Sequence, residues 1–216
     1  MRTASDFDTY YTVADPWRIS GARSRDEALR RSVARFVTGK KVLELGCGEG
    51  HLTQVLFWDA ASVKGVDISG VAIGRAISNG LSNASFENAD FLDVSYEGYG
   101  VIAAIECLYY LSASEQETFF AKVAREHSDK ILIISGPIIG RNEHREYFTH
   151  EAVLDTLGRH GISVIEFHNV NVHRKTPLVN RAVANLAAAL VRAPLGPVVL
   201  NALPDRLIYQ RCYIAH

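Results

Sequence analysis

The sequence predicts an α/β fold, a mainly parallel sheet with helices on both faces, and three observations carry that expectation. Short apolar runs alternate with helix-patterned segments along the chain. A glycine-rich turn, Gly46-Cys47-Gly48-Glu49-Gly50, follows the first apolar run directly. An acidic residue, Asp67, closes the second run. Parallel strands need crossover connections, and alternating helices supply them on either face of the sheet.

The elements are expected in this order. A first long helix covers 24–37, and strand one covers 41–46, where Val42 to Leu45 suit a strand buried on both faces. Three glycines at alternate positions then let the backbone turn sharply and approach a ligand. A helix over 51–58 leads to strand two at 62–67 and a helix at 70–79, whose start fits the short polar side chains of Asp67-Ile68-Ser69. Strand three at 83–88 runs into Asn88-Ala89-Asp90-Phe91, and strand four at 100–105 into Glu106-Cys107-Leu108-Tyr109-Tyr110-Leu111. Helices at 113–127 and 148–160 flank strand five at 130–135, and strands at 162–170 and 206–215 enclose a helix at 178–191. Boundaries read this way hold to about three residues. There is no internal repeat.

The glycine spacing separates two classes of nucleotide site. A dinucleotide fingerprint, G-x-G-x-x-G, would place glycine at 51, where the chain has His51; the third glycine comes one residue early, at Gly50. That register disfavours NAD. The run Glu44-Leu45-Gly46-Cys47-Gly48-Glu49-Gly50 instead resembles motif I of the class I S-adenosylmethionine-dependent methyltransferases, E/D-x-G-x-G-x-G, at every defined position. Asp67, followed by Ile68, stands where that family ends strand two with a ribose-holding carboxylate. Asp90 and Phe91 match its adenine-binding element after strand three. Val101 to Leu111 has the shape of its segment after strand four, which lines the methionine moiety. The resemblance implies a single Rossmann-like methyltransferase domain over 1–216, a seven-stranded sheet in the order 3-2-1-4-5-7-6 with strand seven antiparallel, and S-adenosylmethionine as cofactor with S-adenosylhomocysteine as product. It also implies cofactor contacts at Glu44, Gly46, Cys47, Gly48, Gly50, Asp67, Ile68, Asp90, Phe91 and Glu106.

Each element also has a purely structural reading. The glycines could serve turn geometry alone, Asp67 could cap the next helix, and Asp90 could be a solvated loop acid. Their joint occurrence in the right order over about seventy residues favours the cofactor site.

Composition narrows the partners. With 216 residues, 48% hydrophobic and 22% charged, the chain can bury a substantial core without staples. The 23 basic and 24 acidic residues give a net charge of -1, so no overall field recruits a polynucleotide or an anionic membrane. Cys47, Cys107 and Cys212 are isolated and read as reduced thiols, which together with an N-terminus lacking an apolar signal region makes the cytoplasm the expected compartment. No apolar stretch is long enough to span a bilayer.

Two segments lie outside the expected core. Asp8 to Arg18 is aromatic and basic, and with the helix behind it the resemblance makes 1–37 a lid. There Tyr11 and Trp17 could face the sulfonium, a cation–π attraction of ~0.5–2 kcal/mol, or Trp17 could be an apolar staple. Asp15-Pro16-Trp17-Arg18 together with Leu108-Tyr109-Tyr110-Leu111 also resembles the nodulation protein S type N-methyltransferases, over a short stretch. Between the last two strands, 174–205 carries an amphipathic helix with Val179, Val183, Leu186 and Leu190 on one face. Such a face covers the sheet, closes a homodimer, or lids a substrate, and Pro194, Gly196, Pro197 and Pro204 mark a bent connector after it.

Methyl transfer asks little of a protein beyond alignment, because the cofactor carries its own leaving group. A hydroxyl acceptor gains from a base, for which Glu106, His144 and His150 are the nearest candidates; His144 and Glu106 are the catalytic expectation. Tyr109, Tyr110 and Tyr147 are expected to line the acceptor pocket. No compact ligand set predicts a metal. The segment after strand four lacks both the Asp/Asn-Pro-Pro-Tyr/Phe tetrapeptide of DNA amino-methyltransferases and the paired glutamates of protein-arginine enzymes. The expected acceptor is therefore a small molecule, with a sugar or sugar-derived nitrogen or oxygen among the candidates. The alternative is a non-catalytic S-adenosylmethionine-binding or scaffold protein.

Overall fold

The computed structural model describes residues 3–18, 21–126, 130–140, 145–172 and 196–216. Its sheet has seven strands in the order β3-β2-β1-β4-β5-β7-β6. β1 (Lys41–Leu45), β2 (Ser62–Asp67), β3 (Ala84–Asn88), β4 (Val101–Ile105) and β5 (Ile131–Pro137) pair in parallel. β7 (Ile208–Ala215) runs antiparallel between β5 and β6 (Val164–Val172). Order and direction agree with what the family resemblance implies.

Burial explains the strand sequences. All five residues of β4 are buried, and Ala103 and Ala104 there let layers approach closely from both sides. One core layer gathers Leu29, Val33 and Val37 of α2 (Arg23–Val37) with Val42, Ile133, Cys212 and Ile214. The other packs Leu43, Leu45, Ile102 and Leu132 against Phe119, Phe120 and Val123 of α5 (Ala113–Glu126) and Leu157 of α6 (His150–Arg159). α3 (His51–Leu56) and α4 (Gly70–Ser78) make the crossovers beside the glycine turn. Ser69 caps α4, its side chain accepting from the Ala72 amide.

Two helices were not expected from the pattern. α1 (Ala4–Tyr10) closes a capping box in which the Thr3 side chain accepts from the Asp6 amide and the Thr3 amide donates to the Asp6 carboxylate. Aspartate at the third position and only seven residues of helix gave this box too weak a period to register. α7 (Gly196–Asn201) replaces part of the expected bent connector: Pro197 falls in the first turn, where a missing amide hydrogen costs nothing. The helix expected at 178–191 lies outside the described residues.

Candidate functional site at the carboxyl ends of the central strands

The glycine turn is folded by β2. The Gly46 and Cys47 amides both donate to the Val66 carbonyl, at 2.8 and 3.0 Å, drawing the turn across the end of the neighbouring strand. Gly46 and Gly48 adopt φ of 69° and 54°, which a side chain resists. Space is as restrictive as conformation: a Cβ on Gly46 would stand 2.6 Å from the Cys107 Cβ, and one on Gly48 would stand 2.6 Å from the Tyr11 hydroxyl. Under the turn, buried Glu44 accepts from the Thr53 hydroxyl at 2.5 Å, and burial lifts its carboxyl to about 8. It is therefore a largely protonated structural group at neutral pH.

Asp67 closes β2 with its carboxyl facing the turn and only 7% of the residue exposed. One oxygen accepts from the Gly48 amide at 2.8 Å and the other from the Ser69 amide at 2.9 Å. Burial pushes this carboxyl up, and the two amides partly offset it. The turn-holding, helix-entry and ligand-facing readings of Asp67 thus describe one group. Asp67→Ala is expected to weaken S-adenosylmethionine at least tenfold, the value of a charge-assisted acceptor at ~1.5–3 kcal/mol. It should also lower the melting temperature of the ligand-free protein, because two amides lose their acceptor. Calorimetry with and without ligand measures both; an unchanged affinity would show that Asp67 is a loop anchor only.

Around this turn the expected cofactor residues converge on one cavity of about 860 Å³, a volume suited to a small-molecule ligand. Glu44, Gly46, Cys47, Gly48, Asp67, Ile68, Asp90 and Phe91 line it, as do Tyr11 and Trp17 from the N-terminal segment. Gly50 stands one step away at the entry to α3, and Asp90 also accepts from the Leu92 amide at 2.9 Å. Tyr11 is buried over the turn and hydrogen-bonded by Trp17, and burial raises its phenol. The segment is fastened at several points: Asp8 accepts from the Ser69 hydroxyl at 2.6 Å, the Asp15 amide donates to Glu49 at 2.8 Å, and Arg75 joins the Val13 carbonyl to Glu49. This packing fastens the aromatics beside the turn, as the staple reading expects.

At the far end stands Glu106, directly after β4, with φ of 59°. A non-glycine residue there is strained, and such strain concentrates at functional turns. Its Oε1 accepts from Gln210 Nε2 at 2.6 Å, and the Tyr109 hydroxyl donates to Oε2 at 3.4 Å. Burial lifts the carboxyl to about 7, against the opposing pull of Arg25 and Arg145. Tyr109 and Tyr110 are on the wall. Tyr147 is not a wall residue: it packs behind Tyr109, ring centroids 4.8 Å apart, and bonds Arg145 Nη1 through its hydroxyl at 3.0 Å. His144 lies outside the described residues. His150 faces away from the cavity, its Nδ1 2.9 Å from the Tyr213 hydroxyl. Among the described residues no group of three His, Cys, Asp or Glu is placed to hold a metal.

Several wall residues escaped the sequence reading. Gln210 shares its strand face with Ile208, Cys212 and Ile214, and Asp26 shares a helix face with Leu29 and Val33. A polar residue interrupting an apolar face was the available signal. Asp26 holds both Arg25, at 2.5 Å, and His51 Nε2, at 2.9 Å, and those two partners line the cavity.

Comparison with known proteins agrees with this geometry. Residues 42–127 match a family model described as a methyltransferase domain. A malonyl-[acyl-carrier protein] O-methyltransferase of Paenibacillus sp. (strain JDR-2) is 25% identical over 169 residues, covering 73% of this chain and 61% of its own length. The chain thus spans about three fifths of that relative. The N-methyltransferase NodS from Bradyrhizobium japonicum WM9, solved with S-adenosylhomocysteine, aligns over 100% of this chain and 98% of its own with a TM-score of 0.69 and 18% identity. Magnesium protoporphyrin IX methyltransferase from Synechocystis PCC 6803, solved with S-adenosylmethionine, aligns over 100% and 97% with a TM-score of 0.67 and 17% identity. At those identities the two structures speak for the fold, and the matched domain contains motif I, Asp67 and Asp90. The strand order, the motif series and this domain match together identify residues 42–127 as a methyltransferase domain, similar to those of the class I S-adenosylmethionine-dependent enzymes.

Proposed function

We propose that this protein transfers the methyl group of S-adenosylmethionine to a nitrogen or oxygen of a small-molecule acceptor, with a sugar or sugar-derived metabolite as the foremost type. The carrying observation is that one cavity joins a cofactor-type cradle, Gly46 to Glu49 facing Asp67, to a strained and half-buried carboxyl, Glu106, among tyrosines. The residues fit the cofactor on physical grounds: the turn leaves no room for side chains where a ligand must approach the backbone, and Asp67 keeps lone pairs beyond its two amide bonds. Asp67 would hold the ribose hydroxyls, Asp90 the adenine amino group, and Tyr11 would cover the turn.

Bound there, S-adenosylmethionine supplies a methyl group already activated by its sulfonium. The protein's part is alignment and proton handling. Glu106, poised between charged and neutral near physiological pH, is suited to take the proton of an acceptor hydroxyl, and Gln210 and Tyr109 fix its carboxyl in place. An amine acceptor needs alignment more than a base. The names of the relatives include both an O- and an N-methyltransferase, which supports keeping both atoms open.

No helix among the described residues is long and apolar enough to cross a membrane, and we place the reaction in the cytoplasm with a freely diffusing acceptor. The test is calorimetry followed by turnover. S-adenosylmethionine and S-adenosylhomocysteine should bind and NAD should not. Sugar amines, hydroxylated metabolites and carboxylates are then screened for release of S-adenosylhomocysteine. Heat with NAD and none with S-adenosylhomocysteine overturns the cofactor assignment; cofactor binding with no release across the screen favours a non-catalytic binder.

A further inference from the structure

We propose that Ser135 and Gln210 are positioning residues that hold Glu106 Oε1 as a hydrogen-bond acceptor, so that Glu106 takes up its proton at Oε2. This rests on the reading of Glu106 as the base. It names the atom of that base which reacts and the two residues that select it.

Three strands meet at this point. Glu106 follows β4, Ser135 lies in β5 and Gln210 in β7, the antiparallel partner of β5. The Glu106 amide donates to the Ser135 carbonyl at 2.8 Å, which seats the strained residue against β5. The side chains then form a series with a fixed direction. Ser135 Oγ lies 2.9 Å from the Arg211 carbonyl, and a carbonyl only accepts, so the one hydroxyl hydrogen points there. Lone pairs are what Oγ keeps for Gln210, and the Gln210 atom 3.2 Å away is therefore the amide nitrogen rather than the oxygen. The second hydrogen on that nitrogen is directed at Glu106 Oε1, 2.6 Å away. Ser135 is 6% exposed and Gln210 1%, so bulk water does not compete for either bond.

The consequence falls on the carboxyl. In a neutral acid the carbonyl oxygen is the better acceptor, so a fixed N–H against Oε1 keeps Oε1 as the carbonyl and sends the proton to Oε2. The Tyr109 hydroxyl approaches Oε2 at 3.4 Å, longer than an ordinary O–H···O bond, and Glu106 and Tyr109 are both on the cavity wall. Oε2 is thus the loosely held oxygen. In transfer to a hydroxyl, the O–H pair becomes the new bond to the methyl carbon, the carbon–sulfur pair stays on sulfur, and the proton comes to rest on Oε2. A donor on Oε1 also favours the charged form, and Ser135 pulls the same way. Without the Ser135 hydroxyl, the Gln210 amide is free to turn over and present its oxygen, which favours the protonated acid.

The other groups acting on this carboxyl are unchanged by variants at 135 and 210. Arg25 and Arg145 favour its charge, and burial keeps Tyr109, Tyr209 and Cys212 neutral. The experiment follows Glu106 in the full chain by infrared difference spectroscopy, its signal being the protonated C=O band that Glu106→Gln lacks. That readout needs neither cofactor nor methyl acceptor, so it stands apart from the base reading. In Gln210→Leu the titration midpoint should rise by about one pH unit or more, and the C=O band should move to higher frequency because Oε1 has lost its donor. Ser135→Ala should raise the midpoint by a smaller step, and Ser135→Thr, which restores the hydroxyl, should return it. With a hydroxyl acceptor from the screen, the rising limb of kcat/KM in Ser135→Ala should move up with the midpoint, while the rate above the limb stays within about twofold. A midpoint unmoved in both Ser135→Ala and Gln210→Leu, or a C=O band that stays in place in Gln210→Leu, would overturn the proposal whatever the melting temperatures. A midpoint that moves while the rate limb does not would instead remove Glu106 as the base and leave the selection of Oε2 standing.

Discussion

Gly46→Ala is expected to cripple both the fold and the cofactor site, whereas Gly48→Ala, two residues on in the same motif, is expected to be milder. Both glycines sit at positive φ, so any side chain costs roughly 1–2 kcal/mol of backbone strain. They differ in what the new methyl meets. At Gly46 it would stand 2.6 Å from the Cys107 Cβ and 3.2 Å from its sulfur. Cys107 cannot yield: it is buried, and its thiol donates to the Leu45 carbonyl at 3.2 Å. Overpacking of that kind adds about 1–3 kcal/mol. At Gly48 the obstacle is the hydroxyl at the far end of the Tyr11 side chain, 2.6 Å away, which has more bonds to turn about than a Cβ fixed to the backbone. For a chain of this size, the Gly46 variant should melt about 5–15 °C lower. Its S-adenosylhomocysteine affinity should fall beyond what instability explains, since Gly46 and Cys47 carry the amides that fold the turn against Val66. Adding Cys107→Gly should return the steric share and leave the backbone share. A double variant no more stable than Gly46→Ala would show that Cys107 is not the obstacle.

How much of this site was legible in the sequence depends on how local each signal is. The glycine turn, Asp67 and Asp90 are set by a few consecutive residues at strand ends, so their place in the fold follows once the strand order is known. β4 could be read because five apolar residues buried on both faces have no other explanation in this alternation. Gln210 was illegible for the opposite reason: its partner Glu106 is 104 positions away, and only the antiparallel insertion of β7 beside β5 brings them together. Arg25, Asp26 and His51 are joined across 25 residues by a packing angle between α2 and α3 that no periodicity encodes. Tyr147 shows a subtler limit. The sequence places it near the acceptor end, but which ring forms the wall and which stands behind is decided by side-chain packing around Arg145. α1 was missed because seven residues with one capping box carry little periodic signal, although Thr3 and Asp6 were there to be read.

Glu106→Gln should lower turnover of a hydroxyl acceptor by ~10²–10⁴, the range a positioned general base supplies, while S-adenosylmethionine affinity changes little. The variant keeps the shape and an oxygen able to accept from Gln210, so a loss of rate without a loss of binding isolates proton transfer. If Glu106 instead serves the cofactor's methionine end, the order reverses: affinity falls and the rate at saturation holds. The pH dependence gives a second, independent reading. Burial lifts this carboxyl from 4.5 to about 7, so the free enzyme carries the base form only above neutrality. kcat/KM should rise as pH increases through about 7 and then level, and in Glu106→Gln that limb should vanish. Stability should move the opposite way. A carboxyl whose folded pKa is raised contributes fully below its unfolded value, near 4.5, and that contribution is lost as pH rises through about 7. The wild-type protein should therefore lose melting temperature relative to Glu106→Gln as pH rises from about 4.5 to about 7, with the difference levelling off above that, paying in stability for the charge it needs in catalysis. A wild-type rate profile flat across neutrality, together with a melting difference that does not change with pH, would remove Glu106 from the role of base and leave it a strained structural residue at the end of β4.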